Sequence, residues 1–150
     1  DGPHIVYLHN GGGAPELKSV ARTPYGMRVD YASDPSQTDA GVTGFRSDFT
    51  GITMNAQIFE GTAFTTQFYN TFTPIDDERF VLHSRLHIKD SGSAEINEAI
   101  GKAFTDRFMF EVEQDLKVLD YKRHLVKPRL CAGDGPIHQY RKYAAEFFVD

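Results

Sequence analysis

A single cysteine, Cys131, stands in the 150 residues, and tryptophan is absent. One thiol excludes any disulfide within the chain and fits a reducing, cytoplasmic setting. No apolar run approaches the roughly 20 residues that a membrane span requires, and no signal peptide is visible. Basic residues are outnumbered, 16 Lys and Arg against 21 Asp and Glu, giving a formal net charge of −5. The basic stripe of a nucleic-acid surface is therefore missing. Internal repeats and low-complexity tracts are missing too. What remains is enough for one soluble domain with a real core, 40% hydrophobic and 25% charged. Twelve Phe and seven Tyr point to a core or cavity rich in rings.

The pattern along the chain changes once. From Leu17 to Ile88 it favours β structure. Lys18–Ala32 alternates loosely, with Val20, Met27, Val29 and Tyr31 as inward candidates, and residues 34–39 form a polar loop. Thr43–Asn55 and Gln57–Phe59 are β-branched and aromatic. Phe64–Phe72 and Phe80–Ile88 are the strongest strands: Phe64, Thr66, Phe68, Asn70 and Phe72 share one face of the first, and Phe80, Leu82, Ser84, Leu86 and Ile88 one face of the second. After the break at Asp90–Ser93, with Ser93 as N-cap, the stretch from Ala94 to about Arg123 carries no proline. It fits one long helix, or two if Gly101 divides it. Pro136–Phe148 reads as a final helix with proline in its first turn. The fold class is α+β, an antiparallel sheet with a long C-terminal helix over one face.

Two stretches carry chemistry. The chain opens DGPHIVYLHNGGG, which places Asp1, His4 and His9 in the pattern D-x2-H-x4-H before three glycines. In the helix FTDRFMFEVEQDLKVLDYKRH, Phe104, Phe108, Glu111, Asp115, Val118 and Leu119 cluster on one face at about 100° per residue. An ionised carboxylate within an apolar stripe is costly unless paired, hydrogen-bonded or metal-bound. An ion pair of Asp115 with Arg107 or Lys122 would satisfy it, and Glu111 has the same two readings. The other reading joins His4, His9 and Asp115 as two imidazoles and one carboxylate, the facial ligand set of non-haem Fe(II) oxygenases. On a continuous helix His4 and His9 would diverge by about 140°. Convergence therefore demands a kink, a π-turn or a helix end between them.

Competing sites are weaker. His83 and His87 lie in a strand, where four residues span about 13 Å, too far to share an ion. His124 and His138 flank a proline loop without partners at metal spacing. A glycine-rich oxyanion loop would need a G-x-S-x-G elbow, and only Ser91-Gly92-Ser93 comes near it. Cys131 lacks an identifiable histidine base.

The motif Asp1-x2-His4-x4-His9 resembles the mononuclear-iron motif of Rieske non-haem iron oxygenases, and Glu113-Gln114-Asp115 resembles their third-ligand position. Thr73-Pro74-Ile75-Asp76-Asp77, Lys127-Pro128-Arg129-Leu130, Gly133-Asp134-Gly135-Pro136-Ile137, Tyr140-Arg141-Lys142-Tyr143 and Glu146-Phe147-Phe148 are similar to the oxygenase component of 3-ketosteroid 9α-hydroxylases and cholesterol 7-desaturases. The resemblance implies a helix-grip (START/Bet v 1-like) catalytic domain, with Fe(II) held by His4, His9 and Asp115. It implies Asp1 as the carboxylate that links a ligand histidine to a [2Fe–2S] cluster of a neighbouring subunit. It implies a terminal oxygenase that uses O2 and a ferredoxin reductase-type donor to hydroxylate or desaturate a steroid-like substrate, in a homotrimer. A Rieske cluster takes two cysteines and two histidines, so residues 1–150 are expected to be a single catalytic domain, a fragment lacking an N-terminal Rieske domain. Where this group often has Trp, the chain has Val118-Leu119-Asp120-Tyr121. The alternative is a metal-free helix-grip module that binds an apolar lipid or steroid.

Overall fold

The structure is a computed structural model that describes residues 2–9, 12–38 and 41–148. A short helix α1 (Gly2–Tyr7) precedes six strands: β1 (Glu16–Thr23), β2 (Gly26–Ala32), β3 (Val42–Thr50), β4 (Met54–Gly61), β5 (Thr65–Pro74) and β6 (Phe80–Ile88). Helices α2 (Ala94–Leu119) and α3 (Ile137–Ala144) follow. The strands form one antiparallel sheet in simple chain order, β1 to β6, an arrangement that needs only hairpin turns. The class is α+β, as the change of periodicity after Ile88 implies.

Directly opposed residues of an antiparallel pair share a face, so the register defines the inner surface. Val20 opposes Val29, Met27 opposes Phe49, and Tyr31 opposes Phe45. Phe45 opposes Phe59, and Phe68 opposes Leu86. At one corner α3 lays Tyr140 and the buried Tyr143 on Met27, Val29 and Phe49. The Tyr143 hydroxyl donates to the carbonyl of Gly51 at 2.9 Å. Elsewhere α2 lays Phe104 and Phe108 over Phe59, Phe64 and Phe68, with Phe68 and Phe108 stacked at 4.8 Å. A polar row, Asn55–Asn70–Ser84, crosses the same face, and the Ser84 hydroxyl donates to Asn70 Oδ1 at 2.7 Å.

Several boundaries differ from the sequence reading; the run Thr43–Asn55, for one, spans most of β3, a turn at residues 51–53 and the start of β4. The run Lys18–Ala32 is a hairpin, turned at Pro24-Tyr25, although Val20, Met27, Val29 and Tyr31 do face inward. Helix α2 starts at the expected cap, where the Ser93 hydroxyl accepts from the Ile96 N–H. It is one continuous helix that stops at Leu119 rather than near Arg123. There Tyr121 and Lys122 bond back to Val118 and Leu119, three residues away, and the last turn tightens out of the α geometry. Gly101 does not divide it: a Cβ there would lie 2.9 Å from Ile88 Cδ1, so the glycine lets α2 cross β6 closely. The last segment is α3 plus a 3-10 turn over Ala145–Phe147, with Pro136 at its N-cap.

Candidate metal centre

Helix α1 ends at Tyr7, and the Leu8 N–H closes its last turn on the His4 carbonyl at 2.9 Å. His9 falls just past that end. The helix end thus supplies the break that the i, i+5 spacing demands, and the two rings meet edge to face with centroids 4.5 Å apart. His4 Nε2 and His9 Nε2 are 2.8 Å apart. From α2, more than a hundred residues later, Asp115 brings Oδ1 to 3.1 Å from His4 Nε2 and 3.2 Å from His9 Nε2. Among the described residues this is the group of three whose atoms converge closely enough to hold a metal ion.

His9 is only 4% exposed, and α2 holds it at two points. Arg107 Nη2 donates to the His9 carbonyl oxygen at 2.6 Å. Gln114 Oε1 lies 2.9 Å from His9 Nδ1. Arg107 is itself steadied by Glu111, its Nε donating to Oε1 at 2.6 Å. Arg107, Glu111 and Gln114 follow at i, i+4 and i+7 on one helix stripe, beside that of Asp115. Burial lowers the His4 pKa while Asp115 opposes the shift; the net direction favours the neutral imidazole, the form that ligates metals.

Do these atoms fit a cation? Asp115 Oδ1 is buried and has no hydrogen-bond partner among the described residues, a costly state for an ionised oxygen in a protein interior. It faces two imidazole nitrogens whose lone pairs would serve a metal. Adjacent ligands on an octahedral ion with bonds of about 2.1 Å stand about 3.0 Å apart, and tetrahedral ones about 3.4 Å. The observed separations of 2.8, 3.1 and 3.2 Å suit one face of an octahedron. Such an arrangement leaves the opposite face for other ligands.

The remaining candidates fall elsewhere. Asp1 lies outside the described residues. His83 and His87 point to the outer face of β6, opposite Thr71 and Gln67, with His87 against the Tyr69 ring. His124, Cys131 and His138 are exposed. Arg107, one of the expected partners of Asp115, bonds His9 and Glu111 instead, and the salt bridges of the described residues give Asp115 no arginine or lysine. Sequence reasoning missed the role of Gln114; its adjacency to a ligand candidate was the available signal.

Comparison with known proteins identifies a family. Residues 4–148 match the family model described as the 3-Ketosteroid 9alpha-hydroxylase C-terminal domain. Two oxygenase components of 3-ketosteroid-9-alpha-monooxygenase from Rhodococcus rhodochrous are similar to this chain. One is 28% identical over 95 residues, 62% of this chain and 25% of the relative. The other is 30% identical over 94 residues, 61% of this chain and 24% of the relative. The alignments thus take in about a quarter of the length of these curated relatives. A match over nearly the whole chain places it: the chain belongs to the 3-ketosteroid 9alpha-hydroxylase C-terminal domain family.

Proposed function

We propose that this chain is the mononuclear-iron catalytic domain of a Rieske-type terminal oxygenase, with His4, His9 and Asp115 as the ligands of Fe(II). The observation that carries the reading is the convergence of His4 Nε2, His9 Nε2 and the orphaned Asp115 Oδ1 at separations near 3 Å. The finer architecture belongs to the same proposal: a helix-grip domain in which the sheet holds α2. Asp1 is the carboxylate that would link an iron-ligand histidine to a histidine of a [2Fe–2S] cluster of the neighbouring subunit, the cluster lying on a part of the protein outside residues 1–150.

When bound, the ferrous ion supplies the activation of dioxygen that lets an unactivated C–H bond be hydroxylated or desaturated. The chain's own residues do the rest. The Asp115 carboxylate offsets part of the ion's charge, and the two neutral imidazoles add none. Arg107 and Gln114 keep the His9 backbone and ring in place, so the ligand set is preorganised before substrate arrives. The rings of Phe59, Phe68, Phe104 and Phe108 pack on one another across the inner face and give the region between sheet and helix an aromatic lining.

The substrate class, a steroid-like ring system, draws support from the relatives' names and from the aromatic lining. A cavity of about 220 Å³ between sheet and α3 adds an apolar floor of Met27, Val29 and Phe49, with Tyr31 and Tyr140 at its side. A ferredoxin reductase-type donor, a homotrimer that passes electrons between subunits, and a cytoplasmic location complete the proposal. Among the described residues, no helix is long and apolar enough to cross a membrane.

The test is turnover. The full-length protein with a compatible reductase should consume O2 and yield a hydroxylated or desaturated product from a 3-ketosteroid. His4→Ala should abolish product. Binding of the steroid with no O2-dependent product from the wild-type system would overturn the reading and favour a carrier.

A further inference from the structure

We propose that Gln114 is a positioning residue that fixes the tautomer and ring orientation of His9, an inference that rests on the metal-centre reading above. A neutral imidazole carries one proton on either nitrogen, and a ring that ligates through Nε2 must carry it on Nδ1. His9 Nδ1 faces Gln114 Oε1 at 2.9 Å, while its Nε2 faces His4 and Asp115. With the carboxamide oxygen turned to the ring, His9 donates from Nδ1, and its Nε2 lone pair points at the metal position. The reverse flip, with the amide NH2 toward the ring, would put the proton on Nε2 and close the site.

The second contact from α2 does not supply this control. The Arg107 guanidinium holds the His9 backbone carbonyl at 2.6 Å and so fixes where the residue sits, but not which nitrogen of its ring carries the proton. Gln114 comes from α2, one residue before Asp115, so its Oε1 and the Asp115 carboxylate are set by the same helical turn. Movement of α2 would displace the ligand carboxylate and the ring-orienting amide together. A group of this kind, hydrogen-bonded to a metal-bound histidine, commonly changes metal affinity about 10- to 100-fold when removed.

The experiment uses the intact polypeptide labelled with 15N-histidine, prepared metal-free, as wild type, Gln114→Leu and Gln114→Glu. Leucine keeps the size of the side chain and deletes the acceptor; glutamate keeps an acceptor and removes the donor. Nitrogen NMR of His9 reads the tautomer without metal, and anaerobic Co(II) titration, followed by the ligand-field bands, reads affinity. Wild type and Gln114→Glu should hold the proton on Nδ1, and Gln114→Leu should lose that preference with Co(II) affinity down about 10- to 100-fold. A His9 proton on Nε2 in the metal-free wild type overturns the proposal. So does equal loss of affinity in both variants, or none in Gln114→Leu. A wild type with the Nδ1 proton that takes up no Co(II) would instead overturn the metal-centre reading on which the proposal rests.

Discussion

Asp115 illustrates how a single residue poses a question that only distant chain can answer. Its place on the apolar stripe of α2 was legible, because helical periodicity places it with Phe104 and Phe108. What it faces was not, since the sequence allows Arg107 and Lys122 as partners as readily as two histidines more than a hundred residues away. The structure turns Arg107 aside to the His9 carbonyl and to Glu111, and leaves Asp115 Oδ1 among the imidazoles. Removing the negative charge from that orphaned carboxylate should relieve the metal-free protein rather than harm it. Asp115→Asn is therefore expected to keep or raise the melting temperature of the apoprotein, while metal binding falls; a marked loss of apo stability would mean that the carboxylate has a structural partner. On α3, Tyr143→Phe should cost about 1 kcal/mol in a denaturant titration through its lost bond to the Gly51 carbonyl.

Elements were read best where one face decides the pattern. Strand β6 was placed to the residue, Phe80–Ile88, because apolar and polar positions alternate along it. The β1–β2 hairpin was missed although the alternation changes phase across Pro24-Tyr25: Val20 is out of step with Met27, Val29 and Tyr31 on a single strand, and the turn brings it opposite Val29. Gly101 was read as a weak point because propensity penalises glycine inside a helix, whereas tertiary packing against Ile88 gives it a place. This contact yields a graded prediction. Gly101→Ala gains about 1 kcal/mol of helix propensity but displaces the end of a flexible side chain, at about 0.5–1.5 kcal/mol, so its net effect on unfolding should be near zero. Gly101→Phe should instead destabilise by about 1–3 kcal/mol through overpacking. If both substitutions were neutral in denaturant titrations, α2 would not lie against β6 as described.

At the scale of the molecule, the chain exposes 10,817 Å², where a compact monomer of 16.9 kDa would show about 7,700 Å². The excess has a visible source. On α2, Ile96, Met109, Phe110, Leu116, Val118 and Leu119 are all exposed to between 45% and 52%, and no residue of that helix is buried. A helix apolar on several sides is ordinarily covered on several sides. The 150-residue chain on its own should therefore bind a hydrophobic dye strongly and self-associate with rising concentration; weak dye binding and a monomer at all concentrations would contradict the exposed face. Nothing in composition or periodicity marked which apolar residues of α2 would lack cover, because the helical pattern gives a preferred face and not its neighbours.

The central claim is that His4, His9 and Asp115 together hold one iron. Iron content of the protein prepared anaerobically with Fe(II), measured beside His4→Ala and Asp115→Ala and corrected for any Rieske cluster in the same polypeptide, tests it most directly. The expected result is one mononuclear iron per chain in the wild type and little or none in either variant. Equal iron in all three proteins would contradict the account.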